Sequence, residues 1–162
     1  MIVVADTSPL RYLILIECID VLPSLYGHVT VPPAVITELS HERTPESVRM
    51  WLAALPAWLH LQAPKELMPT DDRALGPGEW AAIALAEELS ADALLMDDRD
   101  GRREAERRRL VVLGTLRVLA DAAGQDLADL RTALDRLALT NFRADEQLID
   151  RLLVLDARRR RS

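Results

Sequence analysis

Three aspartates stand directly after short apolar runs, where a carboxylate is costly unless it has a chemical role. Asp6 follows residues 2–5, and Asp97 and Asp98 follow residues 93–96. A run this short is typical of a buried strand in a parallel sheet, so these carboxylates should emerge where the strands end. The binding crevice of such a sheet lies at the carboxyl ends of its strands. We therefore expect the three side chains to meet at one edge.

Two glutamates lie on the apolar faces of predicted helices. Glu38 shares a face with Ala34 and Val35, and Glu79 shares one with Ile83. Carboxylates buried together need a positive group, and no Lys stands near them in the sequence. A divalent cation is the simplest such group, and oxygen ligands suit Mg²⁺ or Mn²⁺.

Simpler roles exist for the same acids. Asp6 could cap a helix, although Thr7 or Ser8 would do so equally well. Glu38 could be a surface residue near a helix end, and Glu79 could stabilise the first turn of its helix through the helix dipole. Three carboxylates within residues 97–100 exceed what one cap requires, which favours a cation.

Short apolar strands alternate with helices along the chain, which predicts a parallel sheet covered by helices on both faces. The predicted strands cover residues 2–5, 29–31, 58–61, 93–96 and 111–113. The predicted helices cover residues 9–16, 19–25, 33–40, 45–55, 77–89, 100–109, 115–123, 126–138 and 145–155. Ser8 is expected to cap the first helix, with Pro9 at its first position. Asp71 and Asp72 fall in a polar loop and are interpreted as turn and capping residues.

The composition is that of a soluble globular protein. Of 162 residues, 49% are apolar, 28% are charged and only six are aromatic, which argues against a base-stacking platform. A single cysteine and three scattered histidines argue against disulfides and structural zinc. Asp6, Arg11 and Glu17 interrupt the N-terminal apolar stretch, so we expect no signal peptide, no membrane span and a cytoplasmic location.

A net charge of −6 argues against a broad basic surface, yet the basic residues are clustered. All but one of the twenty are arginine; six fall within residues 99–109 and four within 158–161. Arginine favours bidentate phosphate contacts, so a local basic patch can exist on an acidic protein. The alternative is that these arginines only form solvated helix faces.

Taken together, these residues resemble the PIN-domain nucleases, which include the toxins of bacterial VapBC-type toxin–antitoxin modules. The strand that runs into Asp6-Thr7-Ser8 matches the opening of that family, and the proline-started helix that carries Glu38 matches its second motif.

The branch known as DUF3368 is the closer resemblance, and it covers nearly the whole chain. Residues 75–86 match its Leu-Gly-x-Gly-Glu-x-x-Ala-Ile-x-Leu-Ala motif, and residues 97–102 match Asp-Asp-x-x-x-Arg. Residues 112–116 nearly match Val-x-Gly-Thr-Leu, and Asn141-Phe142-Arg143 corresponds to a Gly-Phe-Arg segment before a terminal helix.

The resemblance implies an α/β fold with a parallel β-sheet flanked by helices on both faces and with C-terminal helices. It implies one PIN-like domain over residues 1–162, with an α/β core at 1–120 and a C-terminal helical extension at 121–162. It further implies a metal-dependent endoribonuclease that uses Mg²⁺ or Mn²⁺, a class that includes toxins of type II toxin–antitoxin modules.

The implied site residues fall into three groups. The first group consists of acids that would both catalyse and bind metal, namely Asp6, Glu38, Glu79 and Asp98. Asp97 would be an additional metal ligand. Thr7 and Ser8 would support them by orienting Asp6 or a water. Arg99, Arg102 and Arg103 lie just past the acidic edge and would contact RNA phosphates.

The chain departs from the family pattern at two places. Many toxins carry Asp where this chain has Glu79, and the double aspartate leaves the fourth acid open between Asp97 and Asp98. Alignment on the strand end favours Asp98.

The resemblance also implies a homodimer and a small antitoxin partner. The last helices carry leucines that could form such an interface or pack on the sheet domain, namely Leu127, Leu130, Leu134 and Leu137, then Leu148, Leu152 and Leu155.

Other functions compete with the nuclease. The main alternative is a catalytically silent PIN fold that binds RNA or protein. A receiver domain would need a later lysine, and a haloacid-dehalogenase-type phosphatase would need Asp where Ser8 stands.

Overall fold

The structure, a computed structural model, describes residues 1–41, 43–67 and 75–162. Within these residues five strands form one parallel sheet in the order β3-β2-β1-β4-β5. The strands are β1 Val3–Ala5, β2 Val29–Val31, β3 Leu59–Leu61, β4 Ala93–Leu95 and β5 Val112–Leu113. The helices are α1 Thr7–Leu15, α2 Val21–Tyr26, α3 Pro33–Leu39, α4 Glu46–Leu52, α5 Pro77–Glu88, α6 Arg99–Arg107, α7 Thr115–Gly124, α8 Leu130–Ala138 and α9 Glu146–Arg161. The predicted α/β architecture is confirmed, whereas Asp71 and Asp72 lie outside the described residues.

The sheet is covered on both faces because its strand residues alternate between two apolar clusters. Val3 and Ala5 face the larger cluster, which includes side chains of α1, α2, α7 and α8. Val4, Leu94 and Met96 face the smaller cluster, which is built by α5 and α6. All five side chains are fully buried, as the uninterrupted apolar runs predict for central parallel strands.

The direction in which the chain adds strands to the sheet reverses between β1 and β4. From β1 the chain adds β2 and β3 on one side, and it then returns to place β4 and β5 on the other. Ala5 pairs with Leu95, and the amide of Asp6 donates to the Leu95 carbonyl at 2.9 Å. Such a switch point opens a crevice at the carboxyl ends of the two strands, which is where Asp6 and Asp97 follow them.

The start of α1 differs from the prediction. The helix begins at Thr7, so Asp6 occupies the N-cap position, and its side chain makes no capping hydrogen bond. The expectation that Ser8 caps and Pro9 opens the helix is therefore wrong. Pro9 is tolerated as the third helical residue because the amides of a first turn have no partner within the helix.

The C-terminal helix is longer than the pattern predicts. It runs to Arg161 rather than to residue 155, because ion pairs fix its last turns. Arg159 contacts Asp126 at 3.3 Å, and Arg160 contacts Asp129 at 2.7 Å. Two arginines of the 158–161 run thus bind the segment that connects α7 to α8.

The leucines of the last two helices have different environments. Leu130, Leu134 and Leu137 of α8 are buried in the larger cluster, which is ordinary packing. On α9, Leu148 and Leu155 are 36% and 59% exposed. No helix in the described part of the chain is long and apolar enough to cross a membrane.

Candidate functional site

Asp6 is the most deeply buried acid of the crevice. It follows β1 directly and is 2% exposed, and its Oδ1 has no hydrogen-bond partner among the described residues. Because the side chain also makes no cap to α1, the simpler role of helix capping does not explain its burial.

Glu38 reaches the same crevice from α3, which packs against α5. Its Oε1 accepts from the Gly78 amide at 2.8 Å, and its Oε2 accepts from the Thr7 hydroxyl at 2.7 Å. A Cβ at Gly78 would lie 2.6 Å from that carboxylate, so only glycine leaves room for it. The expectation that Thr7 or Ser8 orients Asp6 or a water stays a prediction; the contact that the structure shows is from the Thr7 hydroxyl to Glu38. Ser8 lies in the wall of the adjoining cleft.

Glu79 and Asp98 are direct neighbours. A Cβ placed on Gly101 would lie 3.0 Å from Glu79 Oε2 and 3.6 Å from Asp98 Oδ2. Asp98 caps α6, since its Oδ2 accepts from the Gly101 amide at 2.9 Å. Glu79 Oε2 is buried and, like Asp6 Oδ1, has no partner within the described residues. Glu79 also lies on the same stripe as the fully buried Ile83, as predicted.

Asp97 is held by a residue whose role the sequence did not reveal. Its Oδ1 accepts from the Thr115 amide at 2.8 Å, and its Oδ2 accepts from the Thr115 hydroxyl at 2.6 Å. Asp97 therefore joins the end of β4 to the start of α7. Gly114-Thr115 at a strand end is a signal for a helix start, but the distant acid that it binds cannot be read from spacing.

Burial raises the proton affinity of three of the acids, and repulsion by neighbouring carboxylates adds to this at Asp6 and Glu79. Burial, with Glu38, Asp97 and Asp98 nearby, raises the pKa of Asp6 to about 7. Burial, followed by Asp98 and Asp6, raises the pKa of Glu79 to about 8. Burial also raises the pKa of Asp97, although the hydrogen bonds from Thr115 oppose that rise. The crevice is thus an electrostatically unfavourable place for several carboxylates at once.

The acids fit a divalent cation by their chemistry. Two buried carboxylate oxygens without partners, on Asp6 and Glu79, are the ligand type that Mg²⁺ and Mn²⁺ prefer. No three His, Cys, Asp or Glu side chains in the described ranges are arranged to hold an ion together. Within those ranges the acids are neighbours that do not form a ready ion site.

The predicted phosphate-binding arginines divide into two groups. Arg99 and Arg102 line a cleft of about 1420 Å³ that also contains Asp97 and Asp98. Arg103 is exposed and does not line this cleft.

Two other arginines, at the C-terminal end of α6, are engaged in ion pairs. Arg107 and Arg108 bind Glu104 at 2.6 and 2.9 Å, so their guanidinium groups take part in ion pairs on the protein.

A family model described as DUF3368, PIN domain, matches residues 2–157. The match includes every strand of the sheet and all the acids of the crevice, and it confirms the resemblance found in the sequence. No curated protein matches the chain.

The raised pKa values predict that the metal-free protein loses stability as the pH rises. The folded protein retains protons that the unfolded chain releases near pH ~4. The resulting stability is therefore full below that pH and is lost as the pH rises through about 7 for Asp6 and about 8 for Glu79. For the buried Asp6 the loss is on the order of 4 kcal/mol, at about 1.4 kcal/mol per pKa unit.

Urea unfolding in EDTA at several pH values measures this effect. Asp6→Asn should flatten the decline and be more stable than wild type near pH ~8. Asp150→Asn, on the exposed side of α9, should leave the slope unchanged. A wild-type free energy of unfolding that increases over this range would contradict the buried, protonated state of Asp6.

Proposed function

The chain belongs to the DUF3368 family of PIN domains, and from that premise we propose that it is a metal-dependent endoribonuclease. A PIN domain has a nuclease-type fold; the proposal adds RNA as the substrate and Mg²⁺ or Mn²⁺ as the cofactor. The observation that carries the proposal is the pair of buried, unpartnered carboxylate oxygens on Asp6 and Glu79 at the switch point of the sheet.

Four acids would hold one or two cations in this proposal: Asp6, Glu38, Glu79 and Asp98. A bound cation would supply positive charge to the phosphate and lower the pKa of a water molecule. The protein's part is to position these ligands. Thr7 and the Gly78 amide fix Glu38, and the Gly101 amide fixes Asp98. Arg99 and Arg102 would attract the phosphates of the strand into the cleft.

Asp98 is proposed as the fourth acid, with Asp97 in a positioning role. Both oxygens of Asp97 accept hydrogen bonds from Thr115, whereas only Oδ2 of Asp98 accepts one, from Gly101. Asp98 also adjoins Glu79, so it lies on the side of the unpartnered oxygens.

A catalytically silent PIN fold that binds RNA or a protein is the second candidate. It is favoured by the lack, within the described ranges, of three acids arranged as a ready metal site. Metal titration separates the two candidates, because a silent fold has no need of the cation.

Cleavage of a mixed RNA pool tests the nuclease directly. Wild type should cleave with Mn²⁺ or Mg²⁺ and not with EDTA, and Asp6→Asn should lower the rate at least about 100-fold, because it removes a ligand charge without changing volume. The same variant should lose Mn²⁺ binding in calorimetry while it retains its circular dichroism spectrum.

The pattern of failure distinguishes the candidates. Mn²⁺ binding without cleavage of the pool would point to a narrow RNA specificity. Wild type that neither cleaves RNA nor binds Mn²⁺ would exclude the nuclease and leave the silent fold.

The roles of the paired aspartates predict opposite phenotypes. Asp98→Asn should abolish cleavage and leave the thermal midpoint near that of wild type. Asp97→Asn should lower stability by about 1–3 kcal/mol, since an amide cannot accept both hydrogen bonds from Thr115. Thr115→Val is the matched control and should reproduce the loss of stability. Equal stability of the two aspartate variants would refute this division of roles.

A toxin role with a small antitoxin and a homodimeric state completes the proposal, and it rests on the family resemblance. RNA as the substrate would place this activity in the cytoplasm. The partly exposed Leu148 and Leu155 of α9 offer an apolar surface for a second chain.

Light scattering should give the mass of two chains, and Leu155→Glu should shift it to one. A wild-type mass of one chain would remove the dimer from the proposal.

A further inference from the structure

The cleft beside the acids has a second wall that comes from the C-terminal part of the chain. One wall carries Asp98, Arg102 and Ser8, near the carboxyl edge of the sheet. The opposite wall is formed by residues 141–145 and by the first turns of α9. With a volume of about 1420 Å³, the space is larger than a single small ligand requires.

The segment 141–143 is fixed against α1, the helix that follows Asp6. The Tyr12 hydroxyl of α1 donates to Asn141 Oδ1 at 2.7 Å. The rings of Tyr12 and Phe142 pack edge to face, with centroids 5.0 Å apart. The Phe142 amide donates to the Thr140 hydroxyl at 3.2 Å. Because α1 is directly connected to the catalytic crevice, this segment is held at a fixed place relative to the acids.

The chemistry of the exposed side chains suits a single strand of RNA. Asn141 has its carbonyl oxygen engaged by Tyr12, which leaves its NH₂ group to donate to a base edge. Arg143 is exposed in the same wall, and a guanidinium is a good partner for a phosphate. Unstacked bases are commonly recognised through such side-chain hydrogen bonds.

Charge favours RNA over an apolar peptide as the occupant. Arginines line both sides of the cleft, namely Arg99, Arg102, Arg117 and Arg143, of which Arg117 is paired with Asp121 at 3.0 Å. Of the three aspartates in the lining, Asp97 binds Thr115, Asp98 caps α6 and Asp145 caps α9. A backbone that carries one negative charge per nucleotide matches this spread of arginines better than an apolar peptide does.

We propose that Asn141 and Arg143 form an RNA-binding subsite next to the acidic crevice, in which Arg143 binds a phosphate and Asn141 contacts a base. This proposal rests on the proposed nuclease function. It assigns specificity for the nucleotide beside the scissile phosphate to a segment far from the acids in sequence, with Tyr12 as the residue that positions Asn141.

Binding and cleavage are measured separately to test the subsite. The probe is a short fluorescein-labelled single-stranded RNA of mixed sequence, bound to the full chain carrying Asp6→Asn, with anisotropy recorded at several salt concentrations. Adding Arg143→Ala should weaken binding about 10-fold and reduce the salt slope by about 0.7, as expected for one lost phosphate contact on a single strand. Arg131→Ala, an exposed arginine of α8 outside the cleft, is the matched control and should change neither value.

Cleavage patterns test the role of Asn141. In the otherwise wild-type chain, Asn141→Ala should broaden the distribution of cut sites in a mixed RNA pool. Tyr12→Phe, which removes the hydroxyl and retains the ring, should broaden it in the same way. A purely structural role would lower the thermal midpoint and the overall rate without altering the choice of site.

The outcomes separate the subsite proposal from the nuclease proposal on which it rests. Suppose that RNA is cleaved with metal and that the Arg143→Ala and Arg131→Ala proteins bind RNA equally well. That result would overturn the subsite and leave the nuclease intact, and the cleft would then serve a protein partner. A chain that shows neither cleavage nor RNA binding would overturn both. Weaker binding together with a broadened cut-site distribution would establish the subsite.

Discussion

Several carboxylates lie close together around the buried Asp6 at the switch point of a parallel sheet, and the rest of the site depends on this unfavourable arrangement. The register of β1 against β4 places Asp6 beside the end of β4. The Asp6 side chain makes no capping hydrogen bond to α1. Its neighbours are acids, so burial and repulsion favour the protonated form near neutral pH. The fold thereby holds unfavourable electrostatic energy that a divalent cation would relieve.

Helix N-termini reduce the cost of this charge. Asp6 precedes α1, Glu79 lies in the first turn of α5, Asp98 caps α6 and Asp97 binds the first residue of α7. The N-terminus of a helix carries a partial positive charge and free amides, both of which stabilise nearby anions. The crossovers of a parallel sheet bring these helix starts to its carboxyl edge. The topology that gathers the carboxylates therefore also lowers the electrostatic cost of gathering them.

Close approach of backbone and carboxylate is the second requirement of the site. Gly78 and Gly101 lie where a Cβ would collide with Glu38 or with the buried Met96 and Glu79. The absence of a side chain lets the amides of these glycines reach Glu38 and Asp98 as hydrogen-bond donors. The C-terminal segment then closes the far side of the cleft, fixed by Tyr12.

The sequence by itself determined the layers of the fold, the approximate bounds of its elements and the edge at which the acids gather. Short apolar runs and helical periodicity are local properties, and a parallel sheet allows only a few arrangements of them. Only the tertiary structure decided that Thr7 holds Glu38, that Thr115 holds Asp97 and that α9 extends to Arg161. Each of these depends on a contact between residues distant along the chain. Periodicity carries no information about such contacts, because packing between elements selects them.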